Sequence, residues 1–165
     1  MNIFRYFYAL FIITVVINLN ACTTSPGRYS DTSKTIDENK FNSLIGTLRP
    51  QRIDKSDCGL FLWDKTQSRN LIFFASALNS DAKMVIAEEE VDLKRKTAEG
   101  NNVLGHFMQQ TYVSSSFNVS LSFVTEPSGN TRNGAIIPQG TLRFQQNEGW
   151  DLVIPVAGIV SCKTY

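Results

Sequence analysis

The feature that most constrains the fold is an alternation of apolar and polar residues with a period of two in the C-terminal two thirds of the chain. It is clearest in residues 117–123, where Phe117, Val119, Leu121 and Phe123 alternate with Asn and Ser. Successive side chains of a β-strand point to opposite faces, so this pattern is typical of a strand with one buried face. The alternation therefore predicts a β fold.

The same pattern and its turn signals predict seven or eight short strands. Residues 140–145 also alternate, and Asn147-Glu148-Gly149 then supplies a tight turn into 150–162, which predicts a C-terminal hairpin. The remaining strand candidates, separated by turn-forming stretches at 79–81, 99–102 and 127–130, are 58–63, 70–78, 82–87, 90–96 and 104–113. Strands at such near-regular spacing predict a mostly β protein, either an antiparallel β-sandwich or a small β-barrel.

Three of these strands are apolar on both faces, in residues 59–63, 71–75 and 152–157. Such strands either lie between two layers of the protein or leave one face for a partner. The simpler interpretation is a cover supplied by the chain itself, for which residues 37–48 are the obvious candidate. Within the last strand, Pro155 predicts an edge position or a bulge.

The segment before the strands allows one short helix. In residues 37–48, Asp37 is a capping residue, and apolar side chains recur at spacings of three and four, at Phe41, Leu44, Ile45 and Leu48. The preceding residues are rich in Ser, Thr, Pro and charge, which is typical of a flexible spacer. We therefore expect residues 22–50 to be a spacer with this short helix and residues 51–165 to be the β-rich globular domain.

The N-terminus has the layout of an export signal. One basic residue, Arg5, precedes an apolar run of 12 residues, Tyr6–Ile17, and no acidic residue occurs before Asp31. A helix that crosses a bilayer needs about 20 apolar residues, so this run is too short for a permanent span.

The run is followed by Leu19-Asn20-Ala21-Cys22, which resembles the bacterial lipobox. The resemblance implies that residues 1–21 are a lipoprotein signal peptide and that Cys22 becomes the acylated first residue. An ordinary signal peptide is the alternative. Thr23 follows the cysteine in place of an aspartate, which in Gram-negative lipoproteins resembles sorting to the outer membrane, facing the periplasm. Two or more acyl chains anchor a protein stably, because each buried methylene contributes about 0.8 kcal/mol.

Removal of residues 1–21 would leave 144 residues, the length of one domain. The whole chain has 16 basic and 15 acidic residues, and the loss of Arg5 makes the two numbers equal. A neutral chain lacks the basic footprint of a nucleic-acid-binding protein.

Three cysteines occur, and assigning Cys22 to lipid leaves Cys58 and Cys162. In an exported protein the simplest interpretation is a disulfide between them, with two free buried thiols as the alternative. No Cys-x-x-Cys is present, so a redox or metal role for this pair is less favoured.

Candidate catalytic groups are few, and no cofactor or metal site is predicted. His106, the single histidine, shares a predicted strand face with Leu104 and Met108, which favours a half-buried structural imidazole over a general base. Glu88, Glu90 and Asp92 would project from one face of a strand, as a calcium site or glycosidase pair requires, but a solvated face beside residues 94–96 is simpler. The hydroxyls of 114–116 have no identifiable base.

Two further resemblances concern the globular part. The strings at 58–63 and 149–162 resemble small uncharacterised envelope lipoproteins of alphaproteobacteria, which implies no activity. Ser128-Gly129 with Arg132 resembles the loop that lipoprotein lysozyme inhibitors present to an enzyme cleft, although the surrounding tyrosine, tryptophan and cysteine pattern of that family is missing.

These observations predict a lipid-anchored envelope protein that is a non-enzymatic binding or assembly module, whose apolar strand face or edge meets another envelope component. The alternatives are a cell-wall hydrolase that uses the carboxylates at 88, 90 and 92, and a binder similar to the lysozyme inhibitors.

Overall fold

The computed structural model describes residue 41 and residues 43–127, 133–147 and 151–163. Contacts divide the chain into two units, Met1–Thr35 and Ile36–Tyr165, and every described residue belongs to the second. The predicted lipobox, Cys22 and the first part of the predicted spacer therefore lie outside the described residues.

Nine strands make up almost all of the described chain. In chain order they are β1 (Ile45–Gly46), β2 (Cys58–Asp64), β3 (Leu71–Ser76), β4 (Asp81–Ile86), β5 (Glu89–Val103), β6 (His106–Val113), β7 (Phe117–Pro127), β8 (Gly134–Gln146) and β9 (Asp151–Cys162). From β2 to β9 each strand pairs antiparallel with the next, and β9 pairs with β2. The sheet is therefore a closed eight-stranded antiparallel barrel. This confirms the predicted β fold, for which the sequence allowed either a β-sandwich or a small β-barrel.

The barrel interior is filled with apolar side chains, because the inward positions of the strands alternate with outward ones. In β7, the predicted inward residues Val119, Leu121 and Phe123 are buried, and Ser122 between them is exposed. Tyr112 of β6 is fully buried, with its ring edge against Phe73 of β3 at a centroid distance of 5.3 Å. The interior of the barrel is thus its hydrophobic core.

The short β1 completes the barrel wall where β3 and β4 separate. These two strands pair at only two positions near their turn, and farther along β1 pairs with β4 through Ile45↔Ile86. On the other side, the Leu48 amide donates to the Leu71 carbonyl at 2.7 Å. The helix predicted over 37–48 is therefore wrong from Ile45 onward, because this backbone fills a gap in the sheet; Phe41, Ser43 and Leu44 are helical, and the rest of the segment lies outside the described residues.

Two strand predictions need correction. The sequence predicted a turn at residues 99–102, after a strand at 90–96. In the structure β5 continues through these residues to Val103, and its register with β6 shifts between Glu99 and Asn102. The turn lies at Leu104 and Gly105, both with positive φ. Pro155 marks neither an edge strand nor a bulge, since β9 is paired on both sides and its register with β8 is regular at Thr141↔Pro155. The Pro155 carbonyl accepts from the Lys65 amide, just where β2 has ended.

The predicted disulfide is confirmed. Cys58 and Cys162 are directly opposite each other in the β2–β9 ladder and form a disulfide across it. The bond therefore locks the first and last strands of the barrel together, and it closes a loop with a sequence separation of 104.

Candidate binding surface

The three strands predicted to be apolar on both faces differ in how their outer faces are covered. Every β3 residue from Ile72 to Ser76 is buried, so the outer face of this strand is covered by the chain itself. The outer faces of β2 and β9 are not fully covered: Trp63 is half-buried, and Ile159 and Val153 are 39% and 41% exposed. Apolar side chains of β2 and β9 therefore stay partly exposed on this side of the barrel.

The register of β2, β9 and β8 arranges this surface in cross-strand rows. One row places Phe61 opposite Ile159 and Ile159 opposite Ile136, which is 44% exposed. The next row places Trp63 opposite the small side chain of Ala157. On the far side of Ala157, the β8–β9 register shifts between Ile137 and Gly140, around Pro138.

These rows and the β2–β3 loop border an open groove of about 1010 Å³. We call it the apolar groove. Its walls come from Trp63 and the loop on one side and from Ile136 and Pro138 on the other, and the small Ala157 lies between them. A site of this size with mainly apolar walls is typical of sites that take up a ligand or an anchoring side chain.

The β2–β3 loop places two cations at one end of the apolar groove. Lys65 Nζ lies 3.4 Å from the Pro138 carbonyl, so the ammonium reaches across the end of the groove. Arg69 also lines the groove. Among the described residues neither side chain forms an ion pair, whereas Lys83 pairs with Glu90, Lys94 with Asp81, and Arg143 with Asp151.

Asp64 holds this loop in shape. Its carboxylate accepts hydrogen bonds from the amide and hydroxyl of Thr66 and from the amide of Asn70, 3.0 Å away. The side chain is buried, and its oxygens are occupied by the loop that carries Lys65 and Arg69. This end of the groove therefore carries two cations and one carboxylate, and the oxygens of that carboxylate already accept hydrogen bonds from the loop.

A polar cluster occupies the interior at the disulfide end of the barrel. His106 is fully buried and its Nε2 donates to the Cys58 carbonyl at 3.0 Å, which leaves Nδ1 without a hydrogen-bond partner among the described residues. Burial, reinforced by the nearby positive charge of Arg95, lowers the pKa of His106. The imidazole therefore gives up its proton more readily than a free histidine, and it is buried more deeply than the sequence predicted.

Arg95 fastens the tip of the β5–β6 hairpin at the same end. Its guanidinium donates to the Ser80 hydroxyl at 2.6 Å, to the Gly105 carbonyl at 3.4 Å and to Gln110 Oε1 at 3.3 Å. Gln110 Oε1 also accepts from the Tyr112 hydroxyl, and burial raises the pKa of Tyr112. Arg95, Gln110 and Tyr112 therefore satisfy one another's hydrogen-bonding groups, and Arg95 ties β5 and β6 to Ser80 in the β3–β4 turn.

The predicted carboxylate candidates do not form a cleft. Glu90 and Asp92 lie on the exposed face of β5, where Lys83 binds them at 2.8 and 3.7 Å, and Glu88 lies in the β4–β5 turn. Hydrogen bonding to Glu90 raises the pKa of Lys83. Nowhere in the described ranges do three His, Cys, Asp or Glu side chains come together as a metal site requires.

The remaining predicted groups lie in turns or outside the described residues. The hydroxyl of Ser114 bonds to backbone groups of the β6–β7 turn, as in an ordinary loop. Ser128, Gly129 and Arg132, on which the resemblance to lysozyme inhibitors rests, are not among the described residues. The described residues contain no helix with the length and hydropathy that a membrane span requires.

Sequence reasoning anticipated one half of the apolar groove. The apolar outer faces of β2 and β9 were predicted, but Ile136, Lys65 and Arg69 were not. The string Ala135-Ile136-Ile137, with apolar residues at successive positions, is the signal that could have added β8. No sequence pattern indicates that the 65–69 loop folds beside it, because that proximity arises only when β9 closes the barrel onto β2.

Comparisons with known proteins do not assign this chain to a family. Neither the scan of protein-family models nor the searches of curated proteins and of solved structures found a match.

Proposed function

We propose that this chain is a lipid-anchored envelope protein that acts as a non-enzymatic binding module, and that the apolar groove is where it meets another envelope component. The observation that carries the proposal is the groove itself, in which Trp63, Ile136 and Ile159 stay accessible on an otherwise well-packed barrel. Contiguous exposed apolar surface on a folded domain is typical of an interaction site.

The anchor and the cellular location rest on the N-terminal sequence. The lipobox resemblance at 19–22 supports acylation of Cys22, and Thr23 supports sorting to the outer membrane. A disulfide between Cys58 and Cys162 is in keeping with an oxidising compartment such as the periplasm. The lipid anchor and the groove are independent parts of the proposal, and each has its own experiment.

Metabolic labelling with an alkyne-bearing palmitate tests the anchor. We expect the wild-type chain to incorporate the label and to fractionate with the outer membrane, and we expect Cys22→Ala to lose both properties. Cys58→Ala with Cys162→Ala is the matched control, because it removes cysteines without touching the lipobox. Label that persists in Cys22→Ala would contradict lipid attachment at this residue.

Photo-crosslinking in intact cells tests the groove. Benzoylphenylalanine in place of Ile159 places the reactive group in the groove, and the same residue in place of Val153 lies on the same strand, at similar exposure, outside it. We expect a discrete adduct with an envelope component at position 159 and none at 153. Equal or absent crosslinking at the two positions would contradict a binding role for the groove.

A further inference from the structure

The apolar groove has one charged end and one apolar end. The loop residues Lys65 and Arg69 border the row that contains Trp63 and Ala157, and the row of Ile159 and Ile136 lies two residues farther along the strands. At about 3.3 Å per residue, the two rows are separated by roughly 7 Å along the strand direction. A ligand that fills the groove would therefore contact cations at one end and only apolar side chains at the other.

The backbone around the groove leaves little for a peptide strand to bind. The β2–β9 ladder is continuous from Cys58↔Cys162 to Asp64↔Val156, and β8 pairs with β9 on the other side. Peptides that add to a sheet use the free main-chain groups of an edge strand, and closure of the barrel removes that edge. The groove therefore favours a ligand recognised by its apolar body and its charge over an added strand.

We infer that the apolar groove binds an anionic amphiphile, with the acyl chain against Trp63, Ile136 and Ile159 and the phosphate or carboxylate at Lys65 and Arg69. This inference rests on the proposed function and specifies its ligand. Two features support it. The groove volume of about 1010 Å³ matches a small-molecule site. In addition, neither cation has an anionic partner among the described residues, so an incoming anion would not have to displace one.

The test uses the full lipid-anchored chain in nanodiscs of phosphatidylcholine and a photoreactive dodecanoate as the probe. We expect crosslinks to map to the β2–β3 loop, β8 and β9, and we expect the analogous photoreactive dodecyltrimethylammonium to label these segments far less. Equal labelling by the cationic probe would overturn the inference, because it would show that the loop cations do not select the head group.

Charge variants separate binding from hydrophobic adsorption. Lys65→Gln with Arg69→Gln should lower dodecanoate labelling about three- to tenfold, because two exposed ion pairs together contribute about 1 kcal/mol. Lys55→Gln with Lys96→Gln is the matched control, because it removes two exposed charges outside the groove, and it should leave labelling unchanged. An equal decrease in both variants, or no decrease in the loop variant, would overturn the inference.

Ile159→Glu should abolish labelling, because it places a carboxylate among the apolar contacts, whereas Val153→Glu should not. Both positions are exposed, so neither substitution buries a charge, and circular dichroism would check the fold of each variant.

Competition identifies the source of the anion. Excess unlabelled dodecanoate should displace the probe because the site is saturable, and nanodiscs that contain phosphatidylglycerol should displace it as well only if a membrane lipid head group occupies the site. Displacement by dodecanoate supports the inference, and its failure would overturn it. A protein adduct at position 159 without dodecanoate labelling would overturn it and leave the proposed function intact, whereas the absence of both would contradict the two together.

Discussion

Two concave surfaces on the outside of the same barrel differ in almost every side chain. The apolar groove lies on β2, β9 and β8, and a second depression of about 420 Å³ lies on β5 to β8. We call the second one the polar face. One of its rows runs through Thr97, Thr111, Ser120 and Arg143, each opposite the next in the strand ladders. The parallel row runs through Glu99, Gln109, Ser122 and Thr141.

The difference between the two surfaces shows that closure of the barrel constrains the residue type at inward positions but not at outward positions. Most inward positions are apolar under both surfaces, for example Leu121 beneath the polar face and Leu62 beneath the groove, because the core continues all the way round; Gln110 and His106 of β6 are polar exceptions. Closure of the barrel does not require apolar side chains at the outward positions. An apolar outer residue such as Ile159 therefore adds nothing to closure of the barrel, and this is why the groove is the more informative of the two surfaces.

Loss of the disulfide should have the largest effect and should fall unequally on the two surfaces. In the chain-entropy model a loop of this length contributes about 4 to 5 kcal/mol to the free energy of unfolding, so Cys58→Ser with Cys162→Ser should approach that loss in urea denaturation. Because the bond joins β2 to β9, hydrogen exchange should accelerate more in these strands than in β6 and β7. Alkylation of the unreduced wild-type chain should find neither thiol free, and uniform acceleration across the barrel would contradict the unequal effect.

The next effect concerns the close approach of β9 to β2 beside the groove. A Cβ on Gly158 would lie 2.0 Å from the Phe61 carbonyl oxygen and 2.8 Å from Leu62 Cδ2, so Gly158→Ala must push the two strands apart. We expect a loss of about 1 to 3 kcal/mol in the free energy of unfolding. On the polar face, Ser122→Ala should stay within about 0.5 kcal/mol. Thermal denaturation measures both variants. Equal decreases in melting temperature for Gly158→Ala and Ser122→Ala would contradict the tighter packing between β9 and β2.

Acidification should act on the interior bond that links the two sides of the barrel. His106 lies on β6, under the polar face, and bonds to Cys58 on β2; Arg95 and Asp57 are the charged groups around it. Its folded-state pKa is below the ordinary 6.5, so the unfolded chain takes up a proton first. Its contribution to stability is therefore complete above pH 6.5 and decreases as the pH falls through that value toward the lowered pKa.

The measurement is the free energy of unfolding in urea on both sides of that pH, for the wild type and for His106→Gln. Glutamine keeps an N–H donor without titrating, so the difference between the two chains isolates the imidazole from the carboxylates. An identical pH dependence in both would show that His106 does not contribute.

The strands were largely predictable, and the reason is local. Burial on one face gives Val119, Leu121 and Phe123 a period of two that can be read without knowing which strands are neighbours. The turn at Leu104 and Gly105 was not found, because Asn and Gly at 99–102 are the stronger turn formers and a register shift in β5 takes them up instead. The helix prediction failed at Ile45 for a similar reason, since the gap between β3 and β4 is a property of the assembled sheet.

The candidate site was less predictable than the fold. Apolar outer residues at Trp63 and Ile159 were visible in the sequence, yet whether a strand face is covered depends on what packs on it. Here β3 is buried on both faces, whereas Ile159 of β9 stays partly exposed. The buried Asp64, which holds the β2–β3 loop, had no signal at all.

The sequence by itself determined the period of the strands, the equal numbers of acidic and basic residues from residue 22 onward, the lipobox resemblance at Cys22 and the availability of Cys58 and Cys162 for pairing. The tertiary structure decided that β9 returns to β2, that the two cysteines meet there, and that Lys65 comes to lie at the end of an apolar groove formed with Ile136. The physical reason is that side-chain alternation is a property of each strand alone, whereas closure brings together residues that are far apart in the chain.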